Sequence, residues 1–323
     1  MRIVVIGATG HVGGYLVPRL VRAGHDVVAV SRGMREPYRA DSAWTSVERV
    51  ELDRGAEDAA GTTGDRIAAL EPDVVIDMIC FTRSSAEQLV DAISGRVGLL
   101  VSCGSIWSRG TLTEVPGTEE APLDGWGEYG SGKAQLEAYL LDQSSQPGGV
   151  PAVVIDPGHI SGPGWHVINP AGNLDSAVWE SLAFGETLVL PDQGLGILHH
   201  VHADDVAQLF QLAVERPDAA SGQAFFAVSP RALTLRGFAQ TAAGWFGRDA
   251  ELEYIPLAEY ASAVGPENAL TTSEHVSRSQ AMSDAKARRM LGYVPAYTSL
   301  GATREAVEWL DANGGFGRRL PFN

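Results

Sequence analysis

The sequence has little of several features that mark particular protein classes. Only 2 of its 323 residues are cysteine, so no disulfide framework is expected. It contains no run of about 18 apolar residues, and we therefore expect no membrane-spanning helix. The apolar segment near the N-terminus is short and β-branched, unlike a signal peptide, and the expected location is the cytoplasm.

Positive charge is also scarce. The chain carries 24 Lys and Arg against 40 Asp and Glu, a formal net charge of −16. Because nucleic-acid surfaces are recognised largely by cationic side chains, this balance argues against a nucleic-acid partner. A local cluster of Arg32, Arg35 and Arg39 remains, and a phosphate group of a bound small molecule explains it more simply.

A glycine loop separates a strand from a helix at the start of the chain. The run Arg2–Ile6 predicts a buried strand, and the apolar spacing over His11–Ala23 predicts a helix. A second strand is expected at Asp26–Val30, which completes a β-α-β unit. The spacing of the loop is GxxGxxG, and its glycines are Gly7, Gly10 and Gly13.

This loop has the form of a dinucleotide cradle. Gly7 permits a tight turn, Gly10 lets the backbone approach a pyrophosphate, and Gly13 lets the helix and strand pack closely. The N-terminus of the helix adds free N–H groups and the positive end of its dipole. The alternative is a glycine-rich turn of another α/β protein, with no ligand.

The residues that follow the next two strands bear on which dinucleotide binds. Sites for NAD often place an acidic residue after the second strand, where it binds the ribose 2′-hydroxyl. Here that place holds Ser31 and Arg32, and Arg32 suits a 2′-phosphate, so NADP is favoured over NAD. Asp53 follows the third strand, expected at 47–52. It is a candidate for the adenine amino group and equally an ordinary turn residue.

A Tyr and a Lys stand four residues apart on a predicted helix, 129–141. Tyr129 and Lys133 therefore share a helix face. A free Tyr has a pKa of about 10, and a neighbouring ammonium and an oxidised nicotinamide would both favour the phenolate. Tyr129 would then exchange a proton with an alcohol or ketone oxygen. The alternative is an amphipathic helix with a surface Tyr and Lys.

Taken together, these motifs resemble the extended short-chain dehydrogenase/reductase superfamily, the NAD-dependent epimerase/dehydratase family. Within it the chain looks most like the atypical branch that includes chloroplast stem-loop-binding proteins. The segments that carry the resemblance are Gly7–Gly13, Asp77–Cys80, Val101–Trp107, Tyr129 with Lys133, Asp156–Pro163 and Val201–Ala207.

The resemblance implies an α/β fold, a Rossmann-type doubly wound parallel sheet with a smaller C-terminal α/β substrate lobe. Residues 1–158 would form the NAD(P)-binding domain, and residues 200–230 would return to its sheet. Residues 159–199 and 231–323 would form the substrate lobe, with helices at 175–185, 239–245, 284–291 and 300–310.

The loop analysis and the resemblance together give a set of site residues. The expected catalytic residues are Tyr129, Lys133, Ser105 and Cys103. The expected cofactor-binding residues are Gly7, Thr9, Gly10, His11, Val12, Gly13, Arg32, Asp53, Met78, Ile79, Lys133 and Pro157. The expected substrate-binding residues are Cys80, Phe81, Ser105, Tyr129, His159, Trp165 and Asn173.

The chain departs from the family pattern at several of these positions. The usual hydroxyl after the fifth strand is replaced by Cys103, so that role passes to Ser105, with Ser102 as the alternative. Family dehydratases follow this position with Asp-Glu, whereas here Gly104 and Ser105 follow, which argues against dehydration. Two further replacements are His159 for an Asn that holds a diphosphate and Asp156 for an Arg.

Two other clusters have a simple interpretation. In His199-His200-Val201-His202, alternate histidines share a strand face, but further ligands are lacking, so no metal is expected. Asp204 would instead cap the helix that follows. Cys80 and Cys103 are either small buried residues or thiols that contact a substrate.

The expected function is that of an NAD(P)-dependent oxidoreductase or epimerase acting on a secondary alcohol or ketone of a sugar or sugar-like molecule. The expected partner is a small-molecule substrate, and a homodimer is possible. The alternative is a non-enzymatic cofactor-sensing or RNA-binding protein on the same fold. The Tyr–Lys pair and the acidic charge argue against that alternative.

Overall fold

A computed structural model describes all residues, 1–323, and is built around parallel strands. The strands are β1 Arg2–Ile6, β2 Asp26–Ser31, β3 Glu48–Glu51, β4 Val74–Asp77, β5 Leu99–Cys103, β6 Ala152–Pro157, β7 His159–Ser161, β8 Leu188–Pro191, β9 Ile197–Leu198, β10 His200–His202, β11 Gln223–Ala227, β12 Leu233–Thr234 and β13 Leu252–Ile255. Seven of them form one sheet in the order β11-β6-β5-β4-β1-β2-β3, in which every neighbouring pair is parallel.

The chain has thirteen α-helices, some of which cover the two faces of this sheet. They are α1 Gly13–Arg22, α2 Arg54–Ala60, α3 Thr63–Ala68, α4 Arg83–Ile93, α5 Gly127–Ser145, α6 Ala177–Phe184, α7 Ala203–Glu215, α8 Pro217–Ala220, α9 Leu235–Gly244, α10 Ala261–Val264, α11 Pro266–Val276, α12 Ala285–Leu291 and α13 Ser299–Ala312. None of them is both long enough and apolar enough to cross a membrane.

The central strands are apolar because the sheet is covered on both faces. In β1, Ile3 and Val5 contribute to the core under α1 and α7, whereas Val4 and Ile6 contribute to the core under α3, α4 and α5. Strands buried in this way carry nearly continuous apolar runs rather than alternating ones. The predicted doubly wound α/β fold is confirmed.

A second apolar core lies in the C-terminal part of the chain. It is formed mainly by α6, α9 and α13, and Trp179, Phe238 and Trp245 pack edge-on or stacked at its centre. Short paired strands, β13 with β8 and β12 with β9, lie beside it. Trp179 is therefore a core residue.

Two expectations about the second half need correction. The helix at 284–291, α12, was expected in the substrate lobe. It packs instead on strand β11 of the main sheet and on helices α7 and α8, and its Ala287 and Leu291 belong to the core of that sheet. The cap of α7 is His202, whose Nδ1 accepts the Asp204 N–H at 3.0 Å. Asp204 instead pairs with Arg19 of α1 at 2.7 Å, so its carboxylate links two helices.

The closest backbone approach in the first β-α-β unit occurs at Gly13. A Cβ at this position would lie 2.2 Å from the backbone oxygen of Ala8, whereas a Cβ on the adjacent Gly14 would meet nothing within 4 Å. Backbone atoms cannot move aside as a flexible side chain can. Close packing of helix and loop thus requires glycine at position 13 and not at position 14.

We expect Gly13→Ala to destabilise the protein by about 1–3 kcal/mol, as forced overpacking usually does. Gly14→Ala is the matched control and should be neutral or stabilising by up to about 1 kcal/mol, because alanine favours a helix. Chemical denaturation of both variants tests this. Equal stability of the two would contradict the packing argument.

Candidate active site

Two adjoining cavities lie at the carboxyl edge of the main sheet. The first cavity, of about 570 Å³, lies beside the glycine loop and the ends of β2 and β3. The second cavity, of about 540 Å³, lies beside the glycine loop, the end of β5 and the start of α5. The residues that line both are Gly7, Gly10, Arg35, Ile79 and Phe81.

The glycine loop presents unpaired backbone donors between the two cavities. Gly7 has a φ of +87° and turns the chain out of β1. The N-cap of α1, Val12, has no side-chain hydrogen bond, and the N–H groups of His11, Val12 and Gly13 donate to no group in the chain. Free N–H groups at a helix N-terminus suit an anionic phosphate. The loop therefore fits the pyrophosphate of a dinucleotide.

The far end of the first cavity is polar. Ser31, Arg32 and Arg35 line it after β2, and Asp53 lines it after β3. Asp53 is also the N-cap of α2, because one carboxylate oxygen accepts the N–H groups of Gly55 and Ala56. The capping role and the cavity position are both present, so the two interpretations of Asp53 are compatible.

Aromatic side chains from three loops meet above the glycine loop. The His11 ring stacks on Trp165 at 5.9 Å between centroids, and its Nε2 lies 3.0 Å from the Pro163 oxygen. The Arg35 guanidinium lies 4.9 Å from the Tyr38 ring centroid and 5.7 Å from that of Trp165. Burial lowers the pKa of His11 to about 4, so this contact is neutral.

The Lys133 ammonium is buried at the edge of the second cavity. It donates hydrogen bonds of 2.7 Å to the backbone oxygens of Cys80 and Cys103, which follow β4 and end β5. It also lies 4.7 Å from the centroid of the Phe81 ring. Lys133 therefore fixes α5 to two strand ends and still borders the cavity.

Tyr129 lies one helical turn before Lys133 and is 45% exposed within the cavity mouth. Its ring packs edge-on against Trp107 at 5.8 Å. Desolvation, reinforced by nearby Cys103, raises the pKa of Tyr129 to about 12, and the Ser105 hydroxyl acts in the opposite direction. Lys133 is not among the groups that act on this pKa, so the expected lowering of the pKa of Tyr129 by Lys133 is not found in the chain without a cofactor.

The three candidates for the third catalytic group differ in position. Ser105 and Cys103 line the second cavity, whereas Ser102 is buried and lines neither cavity. The Ser105 hydroxyl oxygen accepts the Trp107 N–H at 3.2 Å, which leaves its own proton available. Burial raises the pKa of the Cys103 thiol to about 11, so it is a poor nucleophile. The geometry favours Ser105.

His159 forms part of the opposite wall. Its Nδ1 accepts the His199 N–H at 3.3 Å, and its buried Nε2 has no partner. Burial, with nearby His275 and His200, lowers the pKa of His159 well below its ordinary value. A neutral ring that accepts through Nδ1 carries its proton on Nε2, so His159 is a neutral donor.

Most of the predicted site residues come together around these cavities. Those that line the first cavity, the second or both are Gly7, Thr9, Gly10, His11, Val12, Gly13, Arg32, Asp53, Met78, Ile79, Phe81, Cys103, Ser105, Tyr129, Lys133, Pro157, His159 and Trp165. No group of three or more His, Cys, Asp or Glu side chains has a metal-binding arrangement.

Two expected substrate residues lie elsewhere. Cys80 is 1% exposed and lines neither cavity; its thiol faces the Thr82 oxygen at 3.5 Å. Asn173 is buried, where its side chain bonds Asn169 and Thr272 and holds a loop against α11. Both are structural residues in this fold, which corrects the sequence-based assignment.

The sequence also missed wall residues. His275 of α11 lines the second cavity and packs against Trp107 and His159, with ring centroids 5.3 and 5.2 Å apart. Leu174 and Ile168 line the same wall. No motif marks these positions, because α11 reaches the cavity only through the packing of the second lobe.

Comparisons with known proteins agree with this architecture. A 2′-dehydrokanamycin reductase from Streptomyces kanamyceticus is 30% identical over 215 residues, covering 64% of this chain and 55% of the relative, so the chain spans about half its length. A UDP-glucose 4-epimerase from Mycolicibacterium smegmatis is 27% identical over 287 residues, covering 79% of this chain and 86% of the relative.

Solved structures share the fold. A UDP-glucose 4-epimerase from Thermotoga maritima with UDP-glucose superposes with a TM-score of 0.73 at 18% identity, covering 97% of this chain and 99% of the other. A dTDP-glucose 4,6-dehydratase from Bacillus anthracis in complex with NAD gives 0.73 at 17% identity, covering 98% of each. The model of the NAD dependent epimerase/dehydratase family matches residues 3–227, and the chain belongs to that family.

Proposed function

We propose that the protein is an NAD(P)-dependent oxidoreductase or epimerase that acts on a secondary alcohol or ketone of a sugar or sugar-like molecule. One observation carries this proposal: Tyr129, Ser105 and Lys133 line a cavity that adjoins the glycine loop. The names of the two relatives, a reductase and a sugar-nucleotide epimerase, support the substrate class.

The cofactor site supports NADP over NAD. The free N–H groups at the start of α1 would hold the pyrophosphate, and Arg32 and Arg35 of the first cavity would meet a 2′-phosphate. When bound, the nicotinamide supplies or accepts the hydride. The chain provides binding, orientation and proton transfer.

Tyr129 is the proton donor and acceptor at the reacting oxygen. Because its pKa is raised to about 12, the phenol is protonated at neutral pH in the free protein. That form donates a proton to a ketone oxygen, as reduction requires. Oxidation of an alcohol requires the phenolate, and its rate should therefore rise with pH.

Ser105 and His159 complete the proposed contacts to the substrate. The Ser105 hydroxyl has its oxygen occupied by the Trp107 N–H and can donate its proton to the same oxygen that Tyr129 serves. On the opposite wall, the neutral His159 ring lines the cavity and would pack against the substrate. Lys133 keeps the ends of β4 and β5 in place around them.

Replacing the phenol tests the mechanism. We expect Tyr129→Phe to lower kcat by about 10²- to 10⁴-fold, the usual contribution of a general acid, with NADPH affinity unchanged. The assay is NADPH oxidation with a panel of keto-sugars and cyclic ketones. Tyr139→Phe on the same helix is the control, and full turnover by Tyr129→Phe would refute the assignment.

Removing one guanidinium tests the cofactor preference. We expect Arg32→Ala to weaken NADPH binding by about tenfold or more, as the loss of a charged hydrogen bond does, and to leave NADH binding unchanged. Fluorescence titration with both cofactors measures the difference. Arg22→Ala, on α1 and outside both cavities, is the control. Equal weakening for the two cofactors would contradict a 2′-phosphate contact.

Cofactor retention separates the two forms of the reaction. An epimerase oxidises and re-reduces one carbon and regenerates its cofactor, whereas a reductase must exchange it after each turnover. An absorbance scan of the purified protein detects retained nicotinamide. Retention supports epimerase chemistry; empty protein that binds NADPH reversibly supports a reductase.

A further inference from the structure

Three ionisable side chains are buried directly behind the proposed catalytic residues. Arg109, Glu137 and Asp156 are between 0% and 2% exposed. Glu137 lies on α5 four residues after Lys133 and eight after Tyr129, on the same helix face. The proposed mechanism gives none of the three a role.

Arg109 and Glu137 form a bidentate ion pair. The two guanidinium nitrogens Nη1 and Nη2 each donate to one oxygen of Glu137, both at 2.7 Å. The Ser108 hydroxyl adds a third hydrogen bond to Glu137 at 3.1 Å, and the Glu119 backbone oxygen accepts from Arg109. Arg109 therefore makes no hydrogen bond to Asp156, and the other buried cation nearby, Lys133, bonds to the backbone oxygens of Cys80 and Cys103.

Asp156 makes one hydrogen bond and leaves one oxygen without a partner. Its Oδ1 accepts the Ser105 N–H at 2.7 Å. Its Oδ2 is buried and receives no N–H or O–H from any group. An ionised carboxylate in this position would be unpaired and unsatisfied, which is energetically prohibitive in a protein interior.

A proton on Oδ2 removes this difficulty. The Asp156 carboxyl group neighbours that of Glu137 and is within side-chain hydrogen-bonding reach of it. Ionised carboxylates only accept hydrogen bonds, so the two bond to each other only if one carries a proton. Burial raises the pKa of Asp156 well above its ordinary value, and the nearby Glu137 charge adds to the effect. Arg109 and the Ser105 N–H act in the opposite direction without outweighing it.

We propose that Asp156 is a neutral carboxylic acid in the folded protein, that it donates its proton to Glu137, and that it positions Ser105 relative to Tyr129. Asp156 of β6 thereby holds the loop after β5 through the Ser105 N–H. The proton that Asp156 donates to Glu137 links the same loop to α5. Asp156 touches neither substrate nor cofactor, so it is a positioning residue.

The loop geometry supports this role independently. An added Cβ at Gly104 would lie 1.9 Å from Asp156 Oδ1 and 2.7 Å from a methyl group of Val154. The backbone of the loop at Gly104 is therefore packed directly against the Asp156 carboxyl group. On its other side, the Gln280 amide donates to the backbone oxygens of Ile106 and Arg109 at 3.1 and 2.6 Å. Ser105 is held between these two contacts.

Two isosteric substitutions separate the proposal from a merely structural role. Asp156→Asn mimics the neutral acid, because its oxygen accepts from Ser105 and its amide donates to Glu137. For Asp156→Asn we therefore expect the melting temperature, kcat and pH profile of the wild type. Glu137→Gln removes the anion, so Asp156 must ionise to balance Arg109, and the negative charge moves next to Ser105.

This relocated charge predicts a shift in the pH profile. The groups that act on the Tyr129 phenol are Cys103, Ser105 and Asp156, with the Lys133 ammonium 5.8 Å from its ring. A negative Asp156 disfavours the phenolate. We therefore expect the pH at which alcohol oxidation becomes half-maximal to rise by up to about one unit in Glu137→Gln, and to stay unchanged in Asp156→Asn.

This kinetic readout rests on the proposed function, so an infrared measurement of the full-length protein accompanies it. The difference spectrum between wild type and Asp156→Asn at neutral pH should contain the carbonyl stretch of a protonated carboxylic acid. If that band is present but no carbonyl substrate is turned over, the proposed function fails and the neutral acid stands.

The proposal is overturned by either of two results. One is the absence of the protonated-acid band, which would mean that Asp156 is ionised. The other is a downward shift of the pH profile in Asp156→Asn, which would mean that the substitution removed a negative charge. The double variant Asp156→Asn/Glu137→Gln provides a stability check. Its melting temperature should fall by more than the sum of the decreases in the two single variants, because Arg109 then has neither of these carboxylates beside it.

Discussion

The site depends on the hydrogen bonds that the buried Lys133 ammonium donates to two strand ends. An ammonium group in a protein interior is stable only when its N–H groups are hydrogen-bonded, and here two strand ends supply the acceptors. The contact fixes α5 against β4 and β5 at the edge where the cavities open. Tyr129, one turn earlier on the same helix, is consequently fixed as well.

The rest of the site is arranged around this anchor. On one side, the glycine loop offers backbone N–H groups that no part of the chain uses. On the other side, the Ser105 N–H donates to Asp156 of β6, and burial lowers the pKa of His159 and so keeps its ring neutral. The cavity therefore has free backbone N–H groups at the glycine loop and the side chains of Ser105, Tyr129 and His159 in its other walls.

Local patterns account for what the sequence predicted well. The strand, loop and helix around Gly7–Gly13 follow from apolar spacing and steric demands within about 30 residues, and the structure has them there. The face shared by Tyr129 and Lys133 follows from helical geometry alone. Asp204 shows the limit of such reasoning: the residue type suits a cap, but His202 occupies that place and Asp204 pairs with Arg19.

The sequence by itself determined the fold class, the glycine cradle and the Tyr–Lys pair, because each depends on residues close together in the chain. Only the tertiary structure decided that Ser105 rather than Ser102 faces the cavity, that Cys80 and Asn173 are structural, and that His275 forms part of the wall. It also raises the pKa of Tyr129, since burial and neighbouring groups from distant strands disfavour the phenolate. These properties arise where separate segments meet, and spacing along one segment carries no information about them.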